Sequence, residues 1–426
     1  MKYLNFYFIL PVLSGLLLVS CGKKNGISAV VDPPGPVKTI KYIDTLPIST
    51  PMKHPGGLHT AEDFTRIKAK VNEGAEPWIS GWNKLIANSH ARLTYAANPT
   101  VKIIRGGNTI WEPEPDNYSR AFNDVAAAYQ CAIRWKVSGD MAYAQKSIQI
   151  LNAWASTCVS INGDGNASLA AGIYGYQFAV TGELMRDYSG WAATDFKAYQ
   201  DWMLKVFYSV NHDFLVRHHD TCPGHYWANW DLCNLASTMA IGILTDKRAI
   251  YNEAVNYLQR GIGNGNLLKA INHVFTGADA GFAQLQESGR DQGHATLVIS
   301  LIGVISELAW QQGDDFYSFN DNQFLKACEH TAKYNVAKLD VPFRPYQYDN
   351  CRTMETLDKI SPTARGEIRP MWALPYNHYV KRKGLVAPYT LMGVNSTFPD
   401  GGGGDYSPNS GGYDQLGFGT LLYSLP

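Results

Sequence analysis

Nine consecutive residues, Leu297 to Ile305, carry a single polar side chain, Ser300. A helix through this stretch is apolar on every face, so every face must be buried. The same character marks Arg120–Val137, Leu169–Asp187, Trp227–Leu244 and His294–Gln311. Each is followed by an amphipathic partner with one wet face: Ala142–Ala155, Asp195–Val210, Arg248–Ile262 and Gln323–Leu339. In the first pair, Phe122, Val125, Ala126, Tyr129, Ile133 and Val137 recur at helical spacing. Ser138-Gly139-Asp140 then supplies a stop and a cap for the next start. Buried helices that alternate with half-buried ones predict two concentric layers, an incomplete barrel of helical hairpins known as an (α/α) toroid. An open α-solenoid is the weaker alternative, because the pairs share no fixed repeat length.

A further inner-type helix is expected over Arg369–Val380, kinked at Pro375. Long stretches rich in Pro, Gly and Asn separate the pairs: 101–118, 211–225, 263–290, 340–365 and 396–417. Connections of this length in one domain are usually functional loops. In a toroid they gather at one end and build a cleft. Asp400–Gly417 reads as a short irregular or β-like cap.

The N-terminus predicts export. Met1-Lys2 precedes an apolar run from Tyr7 to Val19, which has the size of a secretory core rather than of a membrane span. It ends in Leu18-Val19-Ser20-Cys21-Gly22, which resembles a bacterial lipobox, with Cys21 as the lipidated residue. The expected organisation is a signal over 1–20, a flexible tether over 21–53 and one toroid domain over 54–426. The expected location is the periplasm or the outer-membrane surface, with the lipid as the only membrane contact. Six other cysteines include no CxxC pair, which argues against a zinc ribbon or a thioredoxin-type site. Cys222 and Cys233 are the closest in sequence, although buried free thiols fit a domain of this size equally well.

The chain has 37 basic and 37 acidic residues, so it lacks the basic excess of a nucleic-acid binder. An anionic substrate would need a local basic cleft. With 11 Trp, 25 Tyr and 16 Phe, the sequence has rings enough to stack on sugars as well as to fill a core.

Polar groups crowd two places where a long loop enters an inner helix: Gly224–Asn234 and Gln286–His294. A third cluster, Arg369–Tyr379, sets Trp372, Tyr376 and Tyr379 on one helical face. Three of these strings, Asn229-Trp230-Asp231-Leu232-Cys233-Asn234, Glu287-Ser288-Gly289-Arg290-Asp291-Gln292-Gly293-His294 and Tyr376-Asn377-His378-Tyr379, resemble those of the alginate lyase-like polysaccharide lyases. The similarity extends to Gly175-Tyr176-Gln177 and to the glycine-rich 401–412 segment. It implies an (α/α) toroid that acts on an anionic polysaccharide, alginate or glucuronan, by β-elimination.

That chemistry states which groups are needed. The proton α to the uronate carboxylate is removed, and the 4-O-linked sugar leaves. Hydrogen bonds to the carboxylate stabilise the carbanion, a role for Asn, Arg or His. A base, Tyr or His in such lyases, takes the proton, and Tyr suits the acid that protonates the leaving oxygen. Neither a metal nor an organic cofactor is then expected. The resemblance places Asn229 at the neutralising position. Related lyases often follow that Asn with His, where this chain has Trp230, so His225 and His294 are the candidate bases. Arg290 is a candidate carboxylate ligand, and Tyr376 and Tyr379 are candidates for proton transfer. Tyr176, Gln177, Tyr226, Trp227, Trp230, Glu287, Gln292, Arg369 and His378 are expected to bind substrate. Simpler roles stand beside these: a helix cap for Asn229, an ion pair with Glu287 or Asp291 for Arg290, a helix-start residue for His294, core packing for either tyrosine.

His218-His219-Asp220 lacks a third ligand at a recognisable spacing and is expected to be a solvated loop. Gly401-Gly402-Gly403-Gly404-Asp405 lacks the Lys-Ser/Thr of a phosphate loop. Two rival functions remain open. A glycoside hydrolase would use paired carboxylates, Glu287 with Asp291 or Asp231. A non-catalytic glycan-binding lipoprotein would use the aromatic rings alone. A monomer is expected.

Overall fold

The computed structural model describes residues 40–406 and 414–426. The signal, Cys21 and most of the tether lie outside these residues. From Ile40 to Lys53, the segment expected to be a free tether is instead bound to the domain. The Gln259 side chain bonds both the N–H and the C=O of Ile43, at 2.5 and 3.0 Å. Arg248 donates to the carbonyls of Thr50 and Pro51, and the Lys53 N–H donates to Gln312. Gln259, Arg248 and Gln312 are buried polar side chains, which need such partners.

The helices follow the sequence pattern closely. α1 (Ala61–Asn72) opens on a Thr60/Asp63 capping box, and α2 (Trp78–Ala87) follows. α3 (Ser119–Ser138) stops at Gly139, whose φ of 79° suits a residue without a side chain. Asp140 then caps α4 (Met141–Thr157) through the Ala142 N–H. α5 (Asn166–Met185) is followed by α6 (Ala193–Trp202), a run of wide turns at Met203–Tyr208, and α7 (Ser209–Arg217). Helix therefore continues through the first part of the loop expected at 211–225. α8 (Ala228–Leu244) and α9 (Arg248–Arg260) form the next pair, and α10 (Leu267–Ala270) is one turn. α11 (Gln292–Gln312) pairs with α12 (Phe319–Asn335), whose regular part begins at Gln323 because Asn320, Asp321 and Asn322 all have positive φ. α13 (Ala373–Tyr376) widens into π turns over Asn377–Arg382, just after Pro375 removes a backbone donor. α14 (Pro388–Thr397) and α15 (Gly419–Leu422) complete the helices.

Burial sorts them into two layers. Every residue of α8 except Trp230 is buried, and α5 and α11 are buried over nearly their whole length. α3 packs on α5, α5 on α8 and α8 on α11, while α4, α7, α9 and α12 cover them from outside. α13, α15, α2 and α1 carry the ring back to α3. The protein is an (α/α) toroid. Glycines let α5 and α8 approach closely: a Cβ on Gly172 would lie 2.4 Å from Cys233 Sγ.

Three two-stranded pieces decorate the loops. β1 (Lys102–Ile104) pairs in parallel with β2 (Ser160–Asn162). β3 (His273–Val274) and β4 (Ala283–Gln284) are antiparallel, as are β5 (Tyr346–Asp349) and β6 (Met354–Leu357). The described part of the 400–417 cap contains no strand. Cys222 is disulfide-bonded to Cys351, in the turn between β5 and β6, and not to Cys233, which is a buried free thiol.

Candidate active site

Each inner helix is followed by an antiparallel outer one, so α5, α8 and α11 all start at the same end of the toroid. Their first turns direct unpaired N–H groups and the positive ends of three helix dipoles toward one mouth. A cleft of about 410 Å³ opens there, lined by residues that include Asn229, His294, Arg369, Arg105 and Tyr118.

Asn229 lies in the first turn of α8 and does not cap it; Trp227 occupies the cap position. Glu287, fully buried, fixes it from the opposite loop. Glu287 Oε1 accepts from the Asn229 backbone N–H at 2.9 Å and from its Nδ2 at 2.6 Å. The amide orientation is thereby set, because a carboxylate can only accept. One N–H of the Asn229 side chain remains for a ligand.

His294 lies in the first turn of α11. Asp291 caps this helix: its Oδ1 accepts the His294 backbone N–H at 2.8 Å, and its Oδ2 lies 2.6 Å from His294 Nδ1. Burial works to raise the Asp291 pKa, but the hydrogen bonds and charge of His294 outweigh it and hold the carboxyl below its ordinary value. An ionised Asp291 accepts the Nδ1 proton, which leaves Nε2 with the lone pair. This is the arrangement of an oriented general base.

Two arginines line the cleft beside three acidic residues, Asp291, Glu367 and Asp414. Arg369 is buried, and its guanidinium donates to Thr296 Oγ1, the Gly293 carbonyl and Asp414 at 2.9–3.0 Å. Arg105 follows β1. Burial opposes its charge, yet Tyr174, Asp414 and Tyr118 hold its pKa above the ordinary value. Its guanidinium carbon lies 5.1 Å from the ring centre of Tyr118. The Tyr118 hydroxyl has no hydrogen-bond partner among the described residues. Glu367 also lines the cleft, where burial lifts it above the usual carboxylate range against the pull of Arg369.

The sequence model of the alginate lyase family matches residues 90–340, more than half of the chain. The chain belongs to the alginate lyase family. No curated protein matches it significantly in sequence. Among solved structures, an alginate lyase from Bacteroides ovatus is 13% identical, with 88% of this chain and 100% of that chain covered and a TM-score of 0.58. Alginate lyase A1-III from Sphingomonas species A1 is 14% identical, with 88% and 98% covered and a TM-score of 0.56. A Tyr-to-Phe variant of A1-III complexed with a tetrasaccharide is 15% identical, with 89% and 98% covered and a TM-score of 0.57. Identities this low establish the shared toroid alone. The family makes this protein a polysaccharide lyase.

Several expected residues do not join this cleft. Tyr379 is fully buried and donates to the Tyr317 carbonyl at 2.7 Å. His378 stacks on Tyr317 with centroids 3.5 Å apart; burial, aided by Arg382, pushes its pKa down to about 3. Arg382 beside it pairs with Glu307, near the far end of α11 from His294. Those two positions are thirteen helical steps apart, about 20 Å. Tyr376 is half-buried and does not line the cleft.

Arg290 also stays outside. It pairs with Glu287 at 3.0 Å and Asp291 at 3.6 Å and lies over the Trp227 ring. His225 Nδ1 donates to the Asn350 carbonyl under the β5–β6 hairpin. Gln292 is buried, bonded to Ser288, Ser361 and Asn335, and so ties loops to α11 rather than binding substrate. Tyr176 is buried with its hydroxyl on the Asp414 carbonyl, and Gln177 is buried beside it in α5. Tyr226 bonds His219 Nδ1 at 2.6 Å and packs against Trp230, while Trp227 stacks on Tyr348. Glu287 is fully buried and bonded to Asn229 and Arg290. The expected solvated loop at His218 is corrected too: His218 is buried against Asp231 and Tyr257. Among the described residues no His/Cys/Asp/Glu group could hold a metal.

Arg105 and Tyr118 lie in the 101–118 connection, which the sequence marks as a functional loop without singling out a residue in it, and Glu367 lies just beyond the 340–365 connection. Arg105 precedes two glycines, and Tyr118 directly precedes α3. Those were the available signals.

Proposed function

We propose that this lyase cleaves a uronic-acid polymer of the alginate or glucuronan type by β-elimination. The observation that carries the reading is the meeting of Asn229, His294 and Tyr118 in one cleft at the N-termini of the inner helices. The free N–H of Asn229, with the fields of Arg105 and Arg369, stabilises negative charge on the uronate carboxylate. His294 Nε2 takes the C5 proton. The C–H electron pair forms the C4=C5 double bond, and the C4–O bond breaks. Tyr118, whose hydroxyl has no hydrogen-bond partner among the described residues, gives its proton to the departing oxygen.

The hydrolase reading loses the pairing it expected, because Asp291 lines the cleft but is bonded to His294. Glu287 is committed to Asn229 and Arg290, and Asp231 is fully buried against His218, Tyr257 and the Gly265 N–H. The test is ultraviolet absorbance of the new conjugated double bond on polymannuronate, polyguluronate and polyglucuronate. Asn229→Ala should lose roughly 10²–10³ in turnover, the range for one oxyanion donor. New reducing ends without that absorbance would refute elimination.

A further inference from the structure

A second cleft, of about 560 Å³, shares a wall with the first. The shared element is a short ladder. Gln286, which lines the second cleft, accepts from the Ala228 N–H, and the next residue, Glu287, accepts from the N–H of Asn229, which lines the first. The outer wall is the β5–β6 hairpin, stapled to the Gly224 loop by the Cys222–Cys351 disulfide.

Two cations line this space, Lys269 on α10 and Arg344 just before β5. Neither makes an ion pair among the described residues. Lys269 donates to the Ile262 carbonyl, and Arg344 to His273 Nδ1 at 3.2 Å. Burial and the Arg344 charge hold the His273 pKa below its ordinary value, so His273 is a neutral acceptor there. The carboxylate of Asp349, which also lines the cleft, accepts the Cys351 N–H at 2.8 Å. Gln286 spends its side-chain carbonyl on Ala228 and Asn272 spends its own on Gln284, and among the described residues neither amide NH₂ group has a partner. Tyr346 and Pro345 add an apolar wall.

Two cations bonded only to neutral acceptors suit a carboxylate. Unspent amides suit hydroxyls, and a tyrosine ring suits the face of a sugar. We infer that this second cleft is a further subsite of the lyase, binding an acidic sugar residue of the same polymer away from the bond that is cut. The inference deepens the lyase reading and rests on it.

The test is the exposed pair Lys269→Ala/Arg344→Ala in the full chain. Measured quantities are kcat and KM on the polyuronate cleaved best, as long polymer and as its shortest cleaved oligomer. The ratio of kcat/KM for polymer to that for the short oligomer should fall about tenfold through KM, the effect of one lost charge-assisted contact. An unchanged ratio, or an equal fall of kcat at every length, overturns the subsite. A separate arm titrates a uronate hexasaccharide calorimetrically into both proteins. If wild type forms no unsaturated product from any polyuronate, the lyase reading fails by itself. Weaker hexasaccharide binding by the double variant then still supports the subsite, and equal binding overturns it.

Discussion

Replacing Asp291 by Asn should leave the fold nearly intact and remove most of the activity. Asp291 serves two neighbours with two different oxygens: Oδ1 takes the His294 backbone N–H at 2.8 Å, and Oδ2 takes the Nδ1 proton at 2.6 Å. The backbone N–H can only donate, so an Asn at this position must keep its carbonyl there. Its NH₂ then points at Nδ1. The imidazole has to accept at Nδ1 and carry its proton on Nε2, the atom required to act as base. Asn caps a helix about as well as Asp, so the stability cost is limited to the lost charge at the α11 N-terminus, about 0.3–1 kcal/mol. The loss in kcat should fall between roughly 10²-fold, the lower value for a positioned base, and about 10⁴-fold, the cost of the analogous exchange in a serine protease triad. Thermal melting and the absorbance assay measure the two quantities on the same preparation. A variant that melts normally and keeps kcat within about threefold of wild type would remove His294 from the proton transfer.

The same carboxylate makes an acid-side prediction. Its native pKa is depressed, so its stabilisation is complete above the unfolded value, near pH 4, and is lost as pH falls through the native value. The melting temperatures of wild type and Asp291→Asn should therefore converge in acid; a gap that stays constant would contradict the ionised pair. Tyr118→Phe should abolish nearly all turnover in the absorbance assay with normal melting. Tyr379→Phe should stay active and lose about 1 kcal/mol in a denaturant titration, because the Tyr317 carbonyl loses its donor. The opposite outcome for this pair would move the catalytic tyrosine into the core. Gly172→Ala should cost about 1–3 kcal/mol, since its Cβ would meet Cys233 Sγ at 2.4 Å and the Asn234 N at 2.8 Å. An unchanged denaturation midpoint would show that α5 and α8 are not held that closely.

The inner helices were legible because a segment apolar on all sides has one stable place in a helical domain. Leu297–Ile305 therefore fixed the position of α11, and Ser138-Gly139-Asp140 fixed the joint between α3 and α4 to within a residue or two. The misreadings came from side chains whose partners are far away in sequence. Nothing near Gln259, Arg248 or Gln312 indicates that residues 40–53 will cover them. Cys222 finds Cys351 across 129 residues, and the nearer Cys233 is turned into the α5 interface.

The site was half legible for a related reason. Asn229 and His294 stand on inner helices, whose ends the pattern locates. Tyr376 and Tyr379 were placed on one face of an α-helix, but the backbone widens into π turns at Asn377, and the segment packs beside the end of α11 that carries Trp310. Periodicity gives the face of a helix and says nothing about which end of its neighbour it meets. Glu287 shows a second gap. An acid that binds a ligand and an acid that holds the ligand-binding Asn in place look identical in sequence, and only the 2.6 Å bond to Asn229 Nδ2 separates them. The proposed catalytic groups are thus set by neighbouring carboxylates: Glu287 orients Asn229 and Asp291 orients His294. Both belong to the single loop 287–291, so a displacement of that loop would disturb the proposed carboxylate ligand and the proposed base together.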